Sequence, residues 1–207
     1  MTGGRPGQGA AARGHARRER ILKAATYFIA RHGARGTSLA QIAKQAGVSQ
    51  PGLIYHYNTK ELLLHAVLDR RDESEQYFTW GGEDRPGLAV FTAVVEAVGR
   101  WPEDSDTVGM HTVLVAENAS EDNAISERLR AAYEAGVEKV ALALARAQED
   151  GVLRGDVDPR LKAMEILAFV NGLETAWLAN RSMPAQEIAA QWARDQVRTL
   201  GIGPGGD

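Results

Sequence analysis

Two short helical patterns flank a tight turn in residues 37–57, and this segment constrains the fold of the chain more than any other. The first pattern places apolar side chains at the i, i+3, i+4 and i+7 spacing of one helix face, at Leu39, Ile42, Ala43 and Ala46. Gly47 ends this helix, and Ser49 is suited to cap the next one, which tolerates Pro51 in its first turn. Two short helices joined in this way predict a helix-turn-helix, whose second helix enters the major groove of DNA.

Helical periodicity also runs through the rest of the chain, from Arg17 to Leu200, and strand-like alternation persists nowhere. Apolar stripes predict one helix before the pair, over residues 16–32. They predict six after it, over residues 60–78, 86–100, 105–118, 123–150, 159–180 and 184–200. Gly33 and Gly151 are the expected stops of two of these helices, and Asp158-Pro159 is a strong start signal. The sequence therefore predicts an all-α fold of about nine helices.

The charges of the chain are divided unequally between its two ends. Residues 1–60 carry ten Lys or Arg against a single acid, Glu19, which gives a net charge of +9. Residues 61–207 carry fourteen basic residues against twenty-six acidic ones, which gives −12. Residues 16–60 alone still carry +7, so the asymmetry belongs to the folded part of the chain. Such a distribution indicates a polyanion-binding end joined to an acidic, solvated remainder.

The composition argues against several other classes of protein. The chain has no cysteine, which excludes disulfide frameworks and thiolate metal sites, and no apolar run approaches the ~20 residues of a membrane span. Its five histidines are scattered without the spacing of a helical metal site, and neither common glycine-rich phosphate loop occurs. We therefore expect no enzyme, no metal and no cofactor, and a cytoplasmic, nucleoid-associated protein without a membrane partner.

Residues 37–64, TSLAQIAKQAGVSQPGLIYHYNTKELLL, resemble the DNA-binding domain of the TetR (tetracycline repressor-like) family of bacterial transcriptional regulators. The features shared with that family are a threonine cap, an Ile-Ala pair, a Gly-Val-Ser turn, an aromatic recognition helix and a lysine that begins the fourth helix. They are found here at Thr37, Ile42-Ala43, Gly47-Val48-Ser49, Leu53-Ile54-Tyr55-His56-Tyr57 and Lys60-Glu61. The similarity is specific over residues 17–66, and repression is the usual activity of the family.

The resemblance implies which side chains meet DNA. Those expected to face the groove are Gln50, Pro51, Gly52, Tyr55 and His56, and those expected to hold phosphates are Thr37, Ser38, Ser49, Tyr55 and Lys60. Gln50 is the best candidate for a base edge, because its amide can bond adenine through both a donor and an acceptor. Leu53, Ile54 and Tyr57 are expected to hold the recognition helix on the core, whereas His56 is either a contact or a packing residue.

Direct readout of bases is expected to be sparse. Ala40 stands where some members of the family carry Arg or Lys near the start of the second helix, and Gly52 has no side chain. The basic arm around Arg13, Arg17 and Arg18 either adds minor-groove or phosphate contacts or is an ordinary solvated tail. Most of the affinity is therefore expected to come from phosphate contacts.

The resemblance also implies roles for the C-terminal helices, which in this family bind a small-molecule inducer and form a four-helix bundle with a partner subunit. Candidate walls of a ligand pocket are Trp101, Met110, His111, Leu114, Phe169, Asn171, Glu174 and Trp177. Such residues at helical spacing also form ordinary cores, and Asn171 and Glu174 suit a dimer contact equally well. Helix 159–180 is apolar on more than one face, so it needs more than one neighbour. Candidate dimer contacts are Leu173, Trp177, Ile188 and Trp192.

These inferences divide the chain into a disordered basic arm (1–15), a helix-turn-helix domain (16–64), a ligand-binding and dimerisation domain (65–200) and a disordered tail (201–207). Gly81-Gly82 marks the candidate junction within the long helical part. The predicted function is a transcriptional regulator, a ligand-responsive repressor that binds a palindromic operator in double-stranded DNA as a homodimer. The alternative is a non-specific or architectural helical DNA-binding protein, which the acidic remainder disfavours.

Overall fold

The computed structural model of the protein describes residues 8–73 and 88–202. Over these residues the chain forms nine α-helices and no strand, which confirms the predicted all-α fold. The helices are α1 (Gln8–His32), α2 (Leu39–Ala46), α3 (Gln50–His56), α4 (Lys60–Glu73), α5 (Ala89–Arg100), α6 (Ser105–Asn118), α7 (Ala124–Glu149), α8 (Pro159–Ala179) and α9 (Ala185–Leu200). None of the helices in these two stretches has the apolar length needed to cross a membrane.

Local sequence signals account for the ends of several helices. The three predicted glycine stops all have positive φ, namely Gly33 (72°), Gly47 (65°) and Gly151 (70°). Asp158 caps α8 as predicted, because its carboxylate accepts hydrogen bonds of 2.9 Å from the backbone N–H groups of Arg160 and Leu161. Pro159 fills the first helical position, where no N–H partner is needed. The predicted Gly81-Gly82 junction lies outside the described residues.

The first helix begins earlier than the sequence indicated. α1 has 25 residues and starts at Gln8, whereas the sequence predicts a start at residue 16 and a disordered arm over residues 1–15. Residues 10–12 are all alanine, and alanine is about 1 kcal/mol more favourable than glycine inside a helix. This run offsets the unfavourable Gly9 and Gly14, so that the helix extends about two turns beyond the expected boundary.

The helices pack as two units. The first contains α1 to α4 together with α6, in residues 8–73 and 106–125. The second contains α5 and α7 to α9, in residues 88–105 and 126–202. The chain therefore contributes α5 to the second unit, then α6 to the first, and then returns to the second. This division differs from the predicted boundary at residue 64, which assigned every later helix to one C-terminal domain.

Polar contacts at both ends of α6 explain why it belongs to the first unit. A carboxylate oxygen of Glu117 accepts a 2.7 Å hydrogen bond from the backbone N–H of Ala34, in the turn between α1 and α2. Arg35 in the same turn donates to the carbonyl oxygen of Glu117 at 3.3 Å. Near the other end of α6, Asp106 lies 2.9 Å from the guanidinium group of Arg31. The turn after α1 is thus bonded directly to a helix that follows it by more than seventy residues in the sequence.

The turn after α1 needs a glycine chiefly because the φ of Gly33 is positive. Residues with a side chain rarely adopt such a φ, and a Cβ atom at Gly33 would also overlap the Glu117 carboxylate. Two apolar side chains one turn apart on α6, Met110 and Leu114, are 0 % exposed. The first unit therefore draws both a polar anchor and part of its apolar core from α6.

The second unit has an apolar core of its own. α5 packs against α9, which presents three buried alanines one turn apart, Ala185, Ala189 and Ala193. The distance between two packed helices depends on the side chains at their contact, so alanines allow a close approach. Phe91 of α5 is fully buried, and its ring meets Trp192 of α9 edge-on with the centroids 5.6 Å apart.

The anchoring role of Glu117 leads to the first prediction. We expect Glu117→Ala to destabilise the first unit by about 1–3 kcal/mol, because the N–H of Ala34 loses a charged acceptor at a partly buried site. Chemical denaturation followed by helicity measures the change. Glu149→Ala is the matched control, since this exposed side chain at the end of α7 has no polar partner among the described residues. Equal stability of the two variants would contradict the anchoring role.

Candidate nucleic-acid interface

α2 and α3 form the predicted helix-turn-helix. The hydroxyl of Ser38 accepts a hydrogen bond from the backbone N–H of Gln41 at 3.2 Å, and the Gln41 side chain accepts one from the N–H of Ser38 at 2.9 Å. This reciprocal pair is a capping box that begins α2. Gly47 reverses the chain with φ 65° and ψ 39°, and the N–H of Val48 donates to the carbonyl oxygen of Ala43 at 3.0 Å. Main-chain bonds therefore close the turn without any long side chain.

α3 has only seven residues and depends on its cap and on one buried side chain. The hydroxyl of Ser49 accepts a 3.1 Å hydrogen bond from the N–H of Gly52, and Pro51 lies where an N–H needs no partner. Leu53 is 0 % exposed and holds the helix on the core. Isolated helices shorter than ~12 residues are marginal in water, so contacts with the rest of the first unit maintain α3.

The outward face of α3 carries most of the predicted groove residues. Tyr55 is 84 % exposed, and Gln50 and Pro51 are exposed at the N-terminal end of the helix. Ile54 is 40 % exposed, so it is not the core residue that the sequence predicts. Its spacing of four residues from Gln50 places both on one helix face, which is the signal that could have identified it. Gly52 is half-buried and adds no side chain to this face.

His56 ends α3 and is partly buried. Its ring meets that of Tyr55 edge-on with the centroids 5.5 Å apart, and its Nε2 atom is buried without a hydrogen-bond partner among the described residues. Burial lowers the pKa of this imidazole, and the nearby guanidinium groups of Arg18 and Arg17 lower it further. The ring is therefore neutral at physiological pH. Tyr57, which follows, is also partly buried, and burial raises the pKa of its phenol.

The residues expected to hold phosphates fall into two groups. Ser38 and Ser49 are exposed beside the N-termini of α2 and α3, and Lys60 is partly exposed at the first residue of α4. Thr37 differs, because its side chain is buried and its hydroxyl donates to the carbonyl oxygen of Gly33 at 2.7 Å. This side chain stabilises the turn after α1 and is not available to a phosphate, which corrects the role expected from the sequence.

The residues expected to line a ligand pocket are divided between the two units. On α6, in the first unit, Met110 and Leu114 are fully buried core residues. His111 lies between them, and burial, with a smaller effect of the Arg71 guanidinium, lowers its pKa to about 3. Its imidazole is therefore neutral at physiological pH. The remaining candidates lie in the second unit, at Trp101, Phe169, Asn171, Glu174 and Trp177.

A pair of tryptophans organises the candidates in the second unit. Trp101 and Trp177 are both buried, with their ring centroids 5.6 Å apart. The guanidinium carbon of Arg181 lies 3.9 Å from the centre of the Trp177 ring. Glu174 is buried one turn before Trp177, whereas Asn171 is exposed. The two polar residues of α8 thus occupy different environments although they are one turn apart.

The candidate dimer contacts also separate into buried and exposed residues. Leu173 and Trp177 are only 8 % and 6 % exposed, so they pack within the subunit, contrary to expectation. Ile188 is 38 % exposed, and it borders with Trp192 a shallow depression of about 450 Å³ on α9. Trp192 also stacks on Phe169 with the centroids 4.3 Å apart. The exposed residues of α8 are of two kinds. Five are small or apolar, namely Leu161, Ala168, Gly172, Ala176 and Ala179, and four are polar or charged, namely Arg160, Glu165, Asn171 and Thr175.

Family models match both parts of the chain. Residues 21–67 match the model described as bacterial regulatory proteins of the tetR family, and residues 89–201 match the model described as the C-terminal part of a BetI-type transcriptional repressor. Among curated proteins, the HTH-type transcriptional regulator TtgR of Pseudomonas putida is 27% identical over 167 residues. That alignment covers 78% of this chain and 80% of the relative.

Solved structures agree with these matches. A structure assigned to the TetR family from Rhodococcus sp. is 27% identical with a TM-score of 0.74, and the match covers 91% of this chain and 100% of that one. A transcriptional regulator from Saccharomonospora viridis, in complex with choline, has the same fold at 22% identity and a TM-score of 0.74, over 90% of this chain and 98% of that one. The matched families are regulators and not enzymes. Because the two family models together cover more than half of the sequence, the protein belongs to the TetR family of transcriptional regulators.

Proposed function

We propose that the protein is a ligand-responsive repressor that binds a palindromic operator as a homodimer, with α3 in the major groove. The observation that carries this proposal is the construction of α3, which is capped by Ser49 and anchored by Leu53 while Tyr55 remains 84 % exposed. Folding gains little from a tyrosine so exposed, whereas a groove-binding helix needs such a side chain. The +9 charge of residues 1–60 attracts this end of the chain to DNA over a longer range.

Gln50, Ile54 and Tyr55 are the side chains that we assign to base pairs. The amide of Gln50 can bond adenine through two hydrogen bonds, and Ile54 offers an apolar surface to a thymine methyl group. Pro51 and the half-buried Gly52 add no long side chain, which lets the backbone of α3 approach the groove closely. The edge-on contact of His56 supports the ring of Tyr55, so we assign His56 a packing role.

Ser38, Ser49 and Lys60 are the residues that we assign to phosphates. Each lies at the start of a helix, where free backbone N–H groups and the helix dipole favour an anion. Phosphate contacts fix the register of a protein on the duplex without reading sequence. Three helix starts that can each bind a phosphate lie within one short segment, and together they would position α3 on the duplex.

A homodimer follows from the operator, because two copies of α3 must reach half-sites ~34 Å apart. We assign the subunit contact to the exposed faces of α8 and α9, and not to the buried Leu173 and Trp177. A Cβ added at Gly172 would meet nothing within 4 Å, so this face of α8 is open to a neighbouring helix. On α9, Ile188 and Trp192 supply the apolar part of a depression that Glu187, Gln191 and Asp195 also line, and a partner can fill it.

We assign the inducer to the second unit, around Trp101 and Trp177. Their rings suit an organic cation, since aromatic faces attract positive charge, and the buried Glu174 lies one turn before Trp177. Arg181 already places a cation over Trp177. The similar regulator from Saccharomonospora viridis was crystallised with choline, which supports a small-ligand site in this fold.

The proposed function predicts strong sequence preference. DNA selected from a random library should yield a palindromic site, which the protein should bind at least ~1000-fold more tightly than random duplex at the same salt concentration. Titration of both duplexes followed by fluorescence anisotropy measures the ratio. Equal affinity for the two duplexes would instead favour the architectural DNA-binding protein.

The role of α3 can be tested with two tyrosines. Tyr55→Ala should weaken operator binding by about 1–3 kcal/mol, or roughly five- to 150-fold, because a groove contact is lost. Tyr133→Ala is the matched control, because Tyr133 is also exposed, at 37 %, but lies on α7. Circular dichroism and sedimentation should show that both variants keep their helicity and oligomeric state. Unchanged operator affinity in Tyr55→Ala would remove α3 from the recognition surface.

The subunit contact can be tested on α9. Ile188→Asp should produce monomers in sedimentation velocity, because it places an unpaired charge in an apolar contact. Leu142→Asp on α7 should leave the oligomer intact, although Leu142 is more exposed, at 54 % against 38 %. Ile188 is a better probe than Trp192, whose stacking on Phe169 also serves the core of the second unit. A dimer that persists in Ile188→Asp places the contact on another surface.

A further inference from the structure

One face of α1 packs on the core of the first unit, and the first turns of α1 continue this face beyond the core. Arg17 stands four and seven residues before Ile21 and Ala24, and Arg18 stands at the same intervals before a second buried pair, Leu22 and Ala25. Residues at these spacings share one face of a helix. The apolar members of both series are buried, whereas the two arginines are exposed. The inner face of α1 therefore continues past the core as a basic overhang, which we define as Arg13, Arg17 and Arg18.

The basic overhang lies on the side of the helix-turn-helix. Arg20, one turn after Arg17, donates from Nε to the carbonyl oxygen of Ala46 at 3.1 Å, which fixes this part of α1 at the end of α2. Arg17 and Arg18 also lower the pKa of His56, the last residue of α3. The Arg20 bond places this part of α1 beside the helix-turn-helix, and the effect on His56 places Arg17 and Arg18 near the end of α3. Arg13 stands one turn before Arg17 on the same side of α1.

The positive charge of the basic overhang is not neutralised within the described part of the chain. Arg13, Arg17 and Arg18 are exposed and have no ion-pair partner among the described residues. Glu19 is the one acid in residues 1–60, and its carboxylate lies 3.2 Å from the guanidinium group of Arg70 on α4. Folding therefore leaves three neighbouring guanidinium groups available to an external anion.

We propose that the basic overhang of α1 binds phosphates of the DNA backbone next to the base pairs that α3 reads. This inference rests on the proposed function, since it requires α3 to dock in the groove. Guanidinium groups suit this role, because their planar forks bond phosphate oxygens in pairs. Arg13 and Arg20 are about 10 Å apart along α1, so the overhang carries the contact beyond the helix-turn-helix. It adds affinity and register but no reading of sequence.

The test measures the salt dependence of operator binding in the full-length protein. Each phosphate contact contributes ~0.9 to the slope of log affinity against log salt concentration. A dimer carries six of these arginines, so the variant R13Q/R17Q/R18Q should lower this slope by about 5 when all six contact phosphates, and it should weaken specific and random duplexes by similar factors. The control R130Q/R146Q/R154Q removes the same charge from exposed positions of the second unit that lie outside α8 and α9, and it should leave the slope unchanged.

The length of the duplex provides a second readout. The wild-type protein should bind more tightly when the operator carries about ten additional base pairs on each side, one turn of DNA, than when it ends at the half-sites. R13Q/R17Q/R18Q should lose this difference, while the second-unit control retains it. Because the three side chains are exposed, circular dichroism and thermal unfolding should match those of the wild type.

The possible outcomes separate this inference from the proposed function. A wild-type protein that prefers an operator, with a triple variant of unchanged salt slope, refutes the basic overhang as a DNA contact and leaves the function of α3 intact. A wild-type protein without sequence preference refutes the proposed function itself. A triple variant that binds DNA more tightly would show that the arginines pair with acidic residues of the chain, which also overturns the inference.

Discussion

The candidate recognition surface depends on one physical constraint, which is that a helix of seven residues does not persist in water on its own. α3 satisfies this constraint with groups on its inner side and at its start, where Leu53 is buried and the Ser49 hydroxyl bonds a free N–H. None of these stabilising groups occupies the outward face. Gln50, Ile54 and Tyr55 are therefore not needed to stabilise α3, and their side chains are exposed. The shortness of α3 makes its surface dependent on the integrity of the whole first unit.

The recognition surface also depends on α6, because α6 belongs to the first unit. The helices next to it in the sequence, α5 and α7, belong to the second unit. Met110 and Leu114 complete the core of the first unit, and Glu117 bonds the turn that leads into α2. A fragment that ends at residue 73 would leave apolar surface and the N–H of Ala34 uncovered. The helix-turn-helix therefore packs in a unit that is larger than the domain of residues 16–64 that its sequence pattern predicts. Its stability is shared with a segment that is inserted from later in the chain.

Local signals in the sequence were sufficient to predict the individual helices, but they did not predict the contacts between helices that are distant in the sequence. Gly47 and Asp158 were predictable because a stop or a cap acts on its own helix. The bond from Ala34 to Glu117 joins residues 83 positions apart, and no periodicity reveals such a partner. The faces of α8 were ambiguous for a related reason. A helix that is apolar on several sides does not show which side its own subunit covers, and here Leu173 faces inward.

In the proposed complex, sparse base contacts make the dimer a requirement for specificity as well as for affinity. Gln50 is the one side chain on α3 that can bond a base through two hydrogen bonds, which is worth ~1–3 kcal/mol. Specific and non-specific binding typically differ by ~4–10 kcal/mol, so the few contacts that one copy of α3 makes, including those of Ile54 and Tyr55, reach at most the lower part of this range. Arginines on the basic overhang strengthen binding to every sequence alike and leave this difference unchanged. Discrimination between DNA sequences must therefore be summed over two half-sites, which requires a dimer. Because α3 makes few base contacts, specificity also depends on the exposed faces of α8 and α9, to which we assign the subunit contact.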